Sequence, residues 1–499
     1  MVYKIWSADT FGVWGRPIEV EVVLSPGRPA FTIVGLPGKS VCESRDRVRS
    51  ALLQSGYAFP QQRVLVNLAP AFERKEGAPL DLPIALAILA ASGQVRVAEG
   101  RVAAVGELAL SGAIRPVHGA LLLSSALREN AIDRCIVPPG NAAEAALCPG
   151  IEIVGAERLR DAAAAMEGRG AVTPRREPQG ARQSAFGDFA EVIGQEAAKR
   201  ALLIAAAGGH HVLLLGPPGV GKTMLAQRFP GILPDLDAEA SLAVTRIWSA
   251  AGLLGSGAVA RPPFRAPHHS TSYAGLIGGG NDPRPGEATL AHRGVLFLDE
   301  LAEFSRPALE ALREILETKH VTIARARGSV TFPTDFQLVA AMNPCPCGYT
   351  GHPTMVCRCT PGDQKRYQGR LSGPILDRIE LFAALNALDR KDLAARPPGL
   401  DTAAMAAQVR AARARQAARF AAPTLNAAAP EAALNAAAEL DAGLRRWLME
   451  AMTAFGLSGR GHARALRVAR TIADLDGAER IAEAHLAEAL AWRPPQAFR

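Results

Sequence analysis

Short apolar runs alternate with stretches of helical periodicity along most of this chain, and that order predicts an α/β architecture. In residues 1–165, Glu19–Leu24 and Ala30–Val34 are strand-like and flank Pro26-Gly27, which predicts a strand pair turned there. From Lys39 to Gly56 the spacing of Val41, Val48 and Leu52 predicts a helix with one apolar face, and Leu82–Ala91 predicts a buried helix. Arg63–Leu68, Val102–Leu110 and Arg134–Pro138 predict strands, with a helix from Gly119 to Asn130 between the last two. The alternation implies a compact first domain with its own core. Residues 166–188 are rich in Gly, Pro and Arg without period and read as an exposed linker.

A second pattern begins at Phe189. An Ala-rich helix over Ala197–Ala207 precedes His211–Leu215, a nearly all-apolar run of the kind that fills a buried parallel strand. Gly216, Pro217, Pro218, Gly219, Val220, Gly221, Lys222 and Thr223 follow and match G-x-x-x-x-G-K-[ST] at each defined position. Glycines let backbone N–H groups close around phosphate oxygens, and the helix that starts there offers its positive end. Lys222 is placed for the outer phosphates and the Thr223 hydroxyl for Mg²⁺, so the stretch predicts ATP binding with Mg²⁺.

About seventy residues on, Gly294 to Leu298 delivers Asp299 and Glu300 at the end of another apolar strand, where ligands sit in open α/β sheets. Asp299 suits a water-mediated Mg²⁺ contact and Glu300 a general base for the attacking water. Phe336–Met342 predicts the next buried strand and ends in Asn343, placed to align that water. Between them, Glu303 to Thr318 is an amphipathic helix. Val321–Ala324 and Ser329–Phe332 then read as a hairpin around Arg325 and Arg327, suited to a phosphate backbone or to solvent. Phe264 to Gly286, with His268-His269 and no obvious third ligand, reads as a flexible polar insertion near a ring pore.

Composition adds bounds. With 499 residues, length suggests roughly three domains. A net charge of +8 and a pI near 9.3 agree with a polyanionic partner without demonstrating one. The N-terminus lacks a basic start with an apolar core, and no apolar run approaches the ~20 residues a membrane span needs, which predicts a cytoplasmic chain. Of seven cysteines, Cys345, Cys347, Cys357 and Cys359 fall within fifteen residues. Four thiolates suit a structural tetrahedral Zn²⁺ site, although the C-x-C spacing is tight; four spare thiols is the alternative.

Toward the C-terminus, Leu371 to Asp377-Arg378 closes the ATPase core, with Arg378 either a finger reaching the γ-phosphate of a neighbouring subunit or one half of an Asp377–Arg378 surface pair. The region from residue 391 is helical and arginine-rich, with Arg410, Arg413, Arg415 and Arg419 and then Arg460, Arg464, Arg467 and Arg470 as a basic stripe. One of Arg460 or Arg464 is expected at the nucleotide, the other stripe arginines in solvent or facing DNA.

Two resemblances refine this reading. Lys75 to Pro83, Gly106-Glu107-Leu108, Gly112 and Ile136-Val137-Pro138 resemble the proteolytic domain of the Lon family, a ribosomal-protein fold also found in the RadA branch-migration proteins. Leu80-Asp81 occupies the region of the peptidase serine, and Val117 to Leu122 offers no lysine, so acylation chemistry is not expected. Phe264 to Ser270, Gly278 to Gly280, Pro285-Gly286-Glu287, both phosphate-site motifs, Ala341 to Pro344, Ser372 to Arg378 and Arg467 to Asp474 resemble the magnesium-chelatase-like AAA+ ATPases, specifically the ComM/YifB family. The resemblance covers nearly the whole chain and implies a Lon-like domain over residues 1–165, a AAA+ core with a parallel sheet over 189–390 and a helical lid over 391–499. It also implies a ring, a hexamer, with ATP between subunits, acting on single-stranded or branched DNA to extend strand exchange in natural transformation alongside recombination proteins. A chelatase-type motor on a protein partner and a Lon-like protease are the competing classes.

Overall fold

A computed structural model describes residues 2–71, 75, 78–98, 101–169, 186–255, 257–280, 283–325, 328–387, 400–495 and 498. Most of the expected linker, residues 170–185, and the hairpin tip at 326–327 lie outside them, as does the side chain of Arg325.

The N-terminal region is a seven-stranded sheet of order β3-β4-β2-β1-β5-β6-β7. Its strands are β1 (Val2–Phe11), β2 (Trp14–Ser25), β3 (Ala30–Val34), β4 (Arg63–Ala69), β5 (Val102–Ala104), β6 (Arg134–Val137) and β7 (Glu152–Gly155). In β2, Val20 and Val22 are fully buried, while Glu19 and Glu21 point the other way to ion pairs with Lys4 on β1, at 2.8 and 2.9 Å. That is the period-two logic of a strand with unlike faces. Helices α1 (Lys39–Gln54) and α2 (Asp81–Ala91) cover one face, with Val41, Val48 and Leu52 fully buried; α3 (Ala120–Glu129) covers the other. The Leu80-Asp81 position is closed: Leu80 is fully buried, and the Asp81 carboxylate accepts from Ser44, from Arg47 Nε at 2.7 Å and from the Leu108 N–H at 3.2 Å.

Two expectations fail here. The Pro26-Gly27 turn does not join paired strands: β3 lies parallel to β4, which stands between it and β2. Both edges of β2 are taken, by β4 and by β1, so a local turn signal could not identify the partner. Val102–Leu110 is not one strand either. The Val105 N–H bonds Ile136, Gly106 bonds Pro79 and Leu82, and Glu107–Leu108 pairs with Ile114–Arg115 in a separate ribbon.

The second region is built on a five-stranded, wholly parallel sheet. Helix α4 (Glu196–Gly208) leads to β8 (Val212–Leu215), after which come α5 (Lys222–Arg228), α6 (Ala238–Ala250), β9 (Phe264–Arg265), α7 (Tyr273–Ile277) and β10 (Val295–Leu298). Helix α8 (Arg306–Thr318), the hairpin β11 (His320–Arg325) with β12 (Gly328–Pro333), then β13 (Gln337–Met342) and β14 (Leu381–Ala384) complete it. The sheet order is β9-β10-β13-β8-β14. Every residue of β8 is buried because both faces are covered: Val212 and Leu214 pack toward α4, Leu213 and Leu215 toward α8.

The β1–β2 turn inserts into this region. Val13 packs with Ile247 of α6, Ile323 of β11 and Val330 and Phe332 of β12. Gly12 sits there at φ +65°, and a Cβ on it would stand 2.3 Å from Val330 Cγ1, so the contact demands glycine both for conformation and for space.

The C-terminal helices, among them α9 (Thr402–Phe420) and α10 (Gly459–Leu475), share one hydrophobic core with α4 and its side of the parallel sheet. The expected solvent- or DNA-facing role of Arg467 and Arg470 is overturned. Arg470 is fully buried beside Asp474, and Arg467 donates to the Ala429 carbonyl. Arg413 likewise bonds the Ala206 carbonyl at 2.7 Å, and Gln416 bonds Ala207 at 3.0 Å, satisfying orphan carbonyls at the end of α4. Among the described residues no helix is long and apolar enough to cross a membrane.

Candidate functional site

The carboxyl ends of β8, β10 and β13 converge, and each delivers part of the site. After β8, Gly219 and Gly221 hold φ +80° and +94° with open space around them, so their requirement is conformational. The Lys222 ammonium donates to the Gly216 carbonyl at 2.6 Å, to Pro217 at 2.7 Å and to Asn343 Oδ1 at 2.9 Å. Burial lowers the Lys222 pKa, and the charges of Asp299 and Glu300 oppose that shift. Thr223 Oγ1 donates to Asp299 Oδ2 at 2.7 Å. The tertiary fold therefore brings Lys222, Thr223, Asp299 and Asn343 into one hydrogen-bonded constellation from three separate strand ends.

Glu300 stands on an unusual backbone. It holds φ +51°, ψ +49°, the left-handed region that a non-glycine residue adopts at a cost. Its N–H donates to Asp299 Oδ1 at 2.9 Å, which fixes the adjacent carboxylate while Glu300 turns its own toward His269 Nδ1, 3.1 Å away.

The remaining predicted residues form a second group. Arg378 Nη2 lies 2.6 Å from Glu317 Oε2 on α8, and Asp377 pairs instead with Arg460 at 3.3 Å and Arg464 at 3.6 Å. The alternative Asp377–Arg378 pair is thus replaced by lid arginines from α10. Close by, Glu380 accepts the His211 N–H at 2.9 Å, and burial pushes its carboxyl up to about 7.

The four clustered cysteines come together. Their sulfurs lie within 4.8 Å of one another, with Cys345–Cys347 at 3.4 Å, Cys347–Cys357 at 3.6 Å and Cys345–Cys357 at 3.7 Å. A tetrahedron with metal–sulfur bonds of ~2.3 Å has edges of ~3.8 Å, so the cluster fits Zn²⁺. N–H groups of Tyr349 and Arg358 hold the Cys347 thiol well below the usual range, as a thiolate ligand requires. The cluster also touches the nucleotide loop. Gly348 is at φ +84°, and a Cβ there would stand 2.6 Å from Pro218 Cδ.

Sequence reasoning missed His269 as a neighbour of Glu300. The described residues between Phe264 and Gly286 also form defined elements rather than an irregular insertion: an edge strand on β10, then α7 and a short Gly278–Gly279/Arg284–Pro285 ribbon. A two-residue strand leaves no periodicity from which its position could be read.

The family model "Magnesium chelatase, subunit ChlI" matches residues 188–393, "Subunit ChlI of Mg-chelatase" matches 20–141, and "Magnesium chelatase, subunit ChlI C-terminal" matches 399–493. The chain is 44% identical to the Escherichia coli protein YifB over 491 residues, covering 97% of this chain and 95% of that one. It is 42% identical to the Haemophilus influenzae competence protein ComM over 503 residues, covering 98% and 97%. A shorter match, 29% over 191 residues, covers 32% of this chain and 33% of Lon protease 2 of Bacillus subtilis.

Proposed function

The chain belongs to the ComM/YifB family of magnesium-chelatase-like AAA+ proteins, and on that premise we propose that it is a ring-forming ATPase that drives branch migration of DNA. The observation that carries the ATPase reading is the convergence of Lys222, Thr223, Asp299, Glu300 and Asn343 around the ends of three parallel strands. In this reading Lys222 exchanges its carbonyl acceptors for the outer phosphate oxygens of ATP. Asn343, already bonded to Lys222, orients the attacking water, and Glu300 takes its proton. Thr223 and Asp299 would hold Mg²⁺, which neutralises charge on the outer phosphates. Zn²⁺ in the cysteine cluster would be structural, pinning the loop between Asn343 and the rim of the nucleotide site.

Arg378 would act across a subunit interface, leaving Glu317 to meet transition-state charge on a neighbour's nucleotide, with Arg460 and Arg464 holding the adjoining Asp377. The DNA assignment rests on similarity to a competence protein over nearly the full chain, competence being the uptake of DNA. It is supported by the hairpin β11–β12, whose base is clamped by the N-terminal region through Val13 and Phe332. The burial of Arg470 and the bond of half-buried Arg467 to the Ala429 carbonyl remove them from that argument. Division into an N-terminal domain, a AAA+ core and a lid, with action in natural transformation beside recombination proteins, belongs to the same proposal. A chelatase-type motor on a protein partner is the second reading, favoured by three family models named for a chelatase subunit. Peptidase activity is disfavoured by the filled Leu80-Asp81 position.

The deciding experiment is ATP hydrolysis with and without forked or four-way DNA at stated salt, since phosphate contacts are screened. We expect stimulation by DNA and migration of a four-way junction, both absent in Lys222→Ala. Turnover indifferent to DNA would move the assignment to the second reading.

A further inference from the structure

A buried phenol stands behind the nucleotide site. Tyr367 packs in the core that also holds Leu301 and Ala302, from the turn after β10, and Met342, the last residue of β13. It lies on the helix Pro361–Gln368, which starts two residues after Cys359. Thr360 and Asp363 close a capping box there: the Asp363 N–H donates to Thr360 Oγ1 at 3.2 Å and the Thr360 N–H to Asp363 Oδ2 at 3.1 Å. The helix therefore begins at a fixed point, and Tyr367 follows nearly two turns later, behind the strand ends.

Hydrogen bonds from this helix and the residues just after it join the segments that carry Asn343 and Glu300. The parallel ladder of β13 with β8 ends at Met342, so Asn343 is the first residue beyond it. Its N–H donates to the Tyr367 hydroxyl. Beside that bond, Gln368 Nε2 donates to the Pro344 carbonyl at 3.2 Å. On the other side, Arg370 Nη1 donates to the Ala302 carbonyl at 3.0 Å and to Glu303 Oε2 at 2.7 Å, which fixes the turn after Glu300. Burial first, and then the charges of Glu303 and Glu300, push the Tyr367 pKa up to about 12, so the phenol keeps its proton. With the Asn343 N–H on its oxygen, the hydroxyl turns that proton toward the field of the two carboxylates. A phenylalanine would fill the same space, but only the hydroxyl addresses both strand ends.

We propose that Tyr367 is a positioning residue for hydrolysis: its hydroxyl, seated between the Asn343 N–H and the turn that carries Glu300, sets the spacing of the two side chains that face the attacking water. The inference rests on the reading of Asn343 as the residue that orients this water and of Glu300 as its base. ATP binding, which the phosphate loop carries, does not depend on the hydroxyl, so its loss falls on the chemical step.

The test is ATP hydrolysis by the full chain, followed with γ-labelled ATP so that slow turnover is measured, for wild type, Tyr367→Phe, Asn343→Ala and the double variant. Tyr367→Phe lowers kcat about tenfold at an unchanged KM for ATP, part of the roughly hundredfold that a misplacement of about 1 Å costs. In the Asn343→Ala background the same substitution lowers kcat less than about twofold, because the group it positions is gone. Affinity for a fluorescent ATP analogue stays at the wild-type value, which shows that the site is folded. Phenylalanine satisfies a purely packing role and would leave kcat unchanged; that result overturns the proposal, as does an equal loss in both backgrounds. If Tyr367→Phe loses affinity for the analogue, Gln368→Ala at its half-buried position decides. A lower kcat at an unchanged KM in that variant supports the brace, and an unchanged kcat overturns it. Wild-type turnover in Asn343→Ala would instead reject the underlying reading of Asn343, whatever Tyr367 does.

Discussion

Asp474 is the residue that most plainly ties the C-terminal helices to one another. Its side chain is fully buried and receives Arg419, Arg470 and the Asn426 amide, the last at 2.9 Å. Asp474→Ala strips the counter-charge from Arg470, itself fully buried. Losing one partner of a buried pair costs about 3–5 kcal/mol, because the orphaned charge remains out of water. The lower end applies here, since Arg470 keeps the Ala478 carbonyl at 2.6 Å and Glu479 at 2.8 Å. With an unfolding entropy of about 2.1 cal/mol/K per residue over roughly 300 residues, a loss of about 3 kcal/mol lowers the midpoint of the core-and-lid transition by about 5 °C. Differential scanning calorimetry with the wild-type chain alongside is the assay. The double variant Arg470→Met/Asp474→Leu recovers part of the loss, because the fully buried charge is then gone while Arg419, about one-fifth exposed, turns to water. If Asp474→Ala left the midpoint within about 1 °C and instead weakened DNA binding, these arginines would be a recognition surface and the packing account would be wrong.

The other consequences are brief. Arg378→Ala alone loses about a thousandfold in turnover, the usual weight of an arginine finger, and regains measurable activity when mixed with Lys222→Ala subunits; absence of rescue places its action within one subunit. Purified wild-type chain carries about one zinc, and Cys357→Ser loses the metal together with thermal stability; a metal-free wild type prepared without chelators rejects the zinc site. Glu380→Gln tests linkage. Because burial raises the folded pKa from 4.5 to about 7, the protonated carboxyl contributes stability that is complete below pH 4.5 and lost as pH rises to 7. The variant therefore gains on wild type across that window, toward a ceiling of about 3 kcal/mol, read as urea midpoints at pH 4.5 and 8. A wild-type-to-variant difference that is the same at both pH values contradicts the buried acid.

The nucleotide loop was legible because its residue types answer to local chemistry. Gly219 and Gly221 are needed where φ is positive, and an all-apolar tetrapeptide such as Val212–Leu215 is needed where a strand is covered on both faces. The cysteine cluster was legible for a similar reason, since four soft ligands lie within one short loop. The lid arginines misled because a stripe at helical spacing states which residues share a face, and nothing about whether that face meets solvent. Arg470 meets Asp474 four residues on, and Arg413 meets the end of a helix more than two hundred residues earlier.

Sequence by itself determined the strands β8, β10 and β13 and the helices α4 and α8, which loop carries the phosphate-binding pattern, and which carboxylates follow the apolar run Val295–Leu298. Those properties depend on period, residue chemistry and the geometry of a few successive peptide units. Only the tertiary structure decided that β4 separates β2 from β3, that Lys222 rests on Asn343, that Asp377 answers to Arg460 and Arg464, and that His269 holds Glu300. Each of these joins segments distant in the chain whose mutual placement is set by how sheets and helices pack, and a contact made by packing leaves no signature in the spacing of residues along one segment.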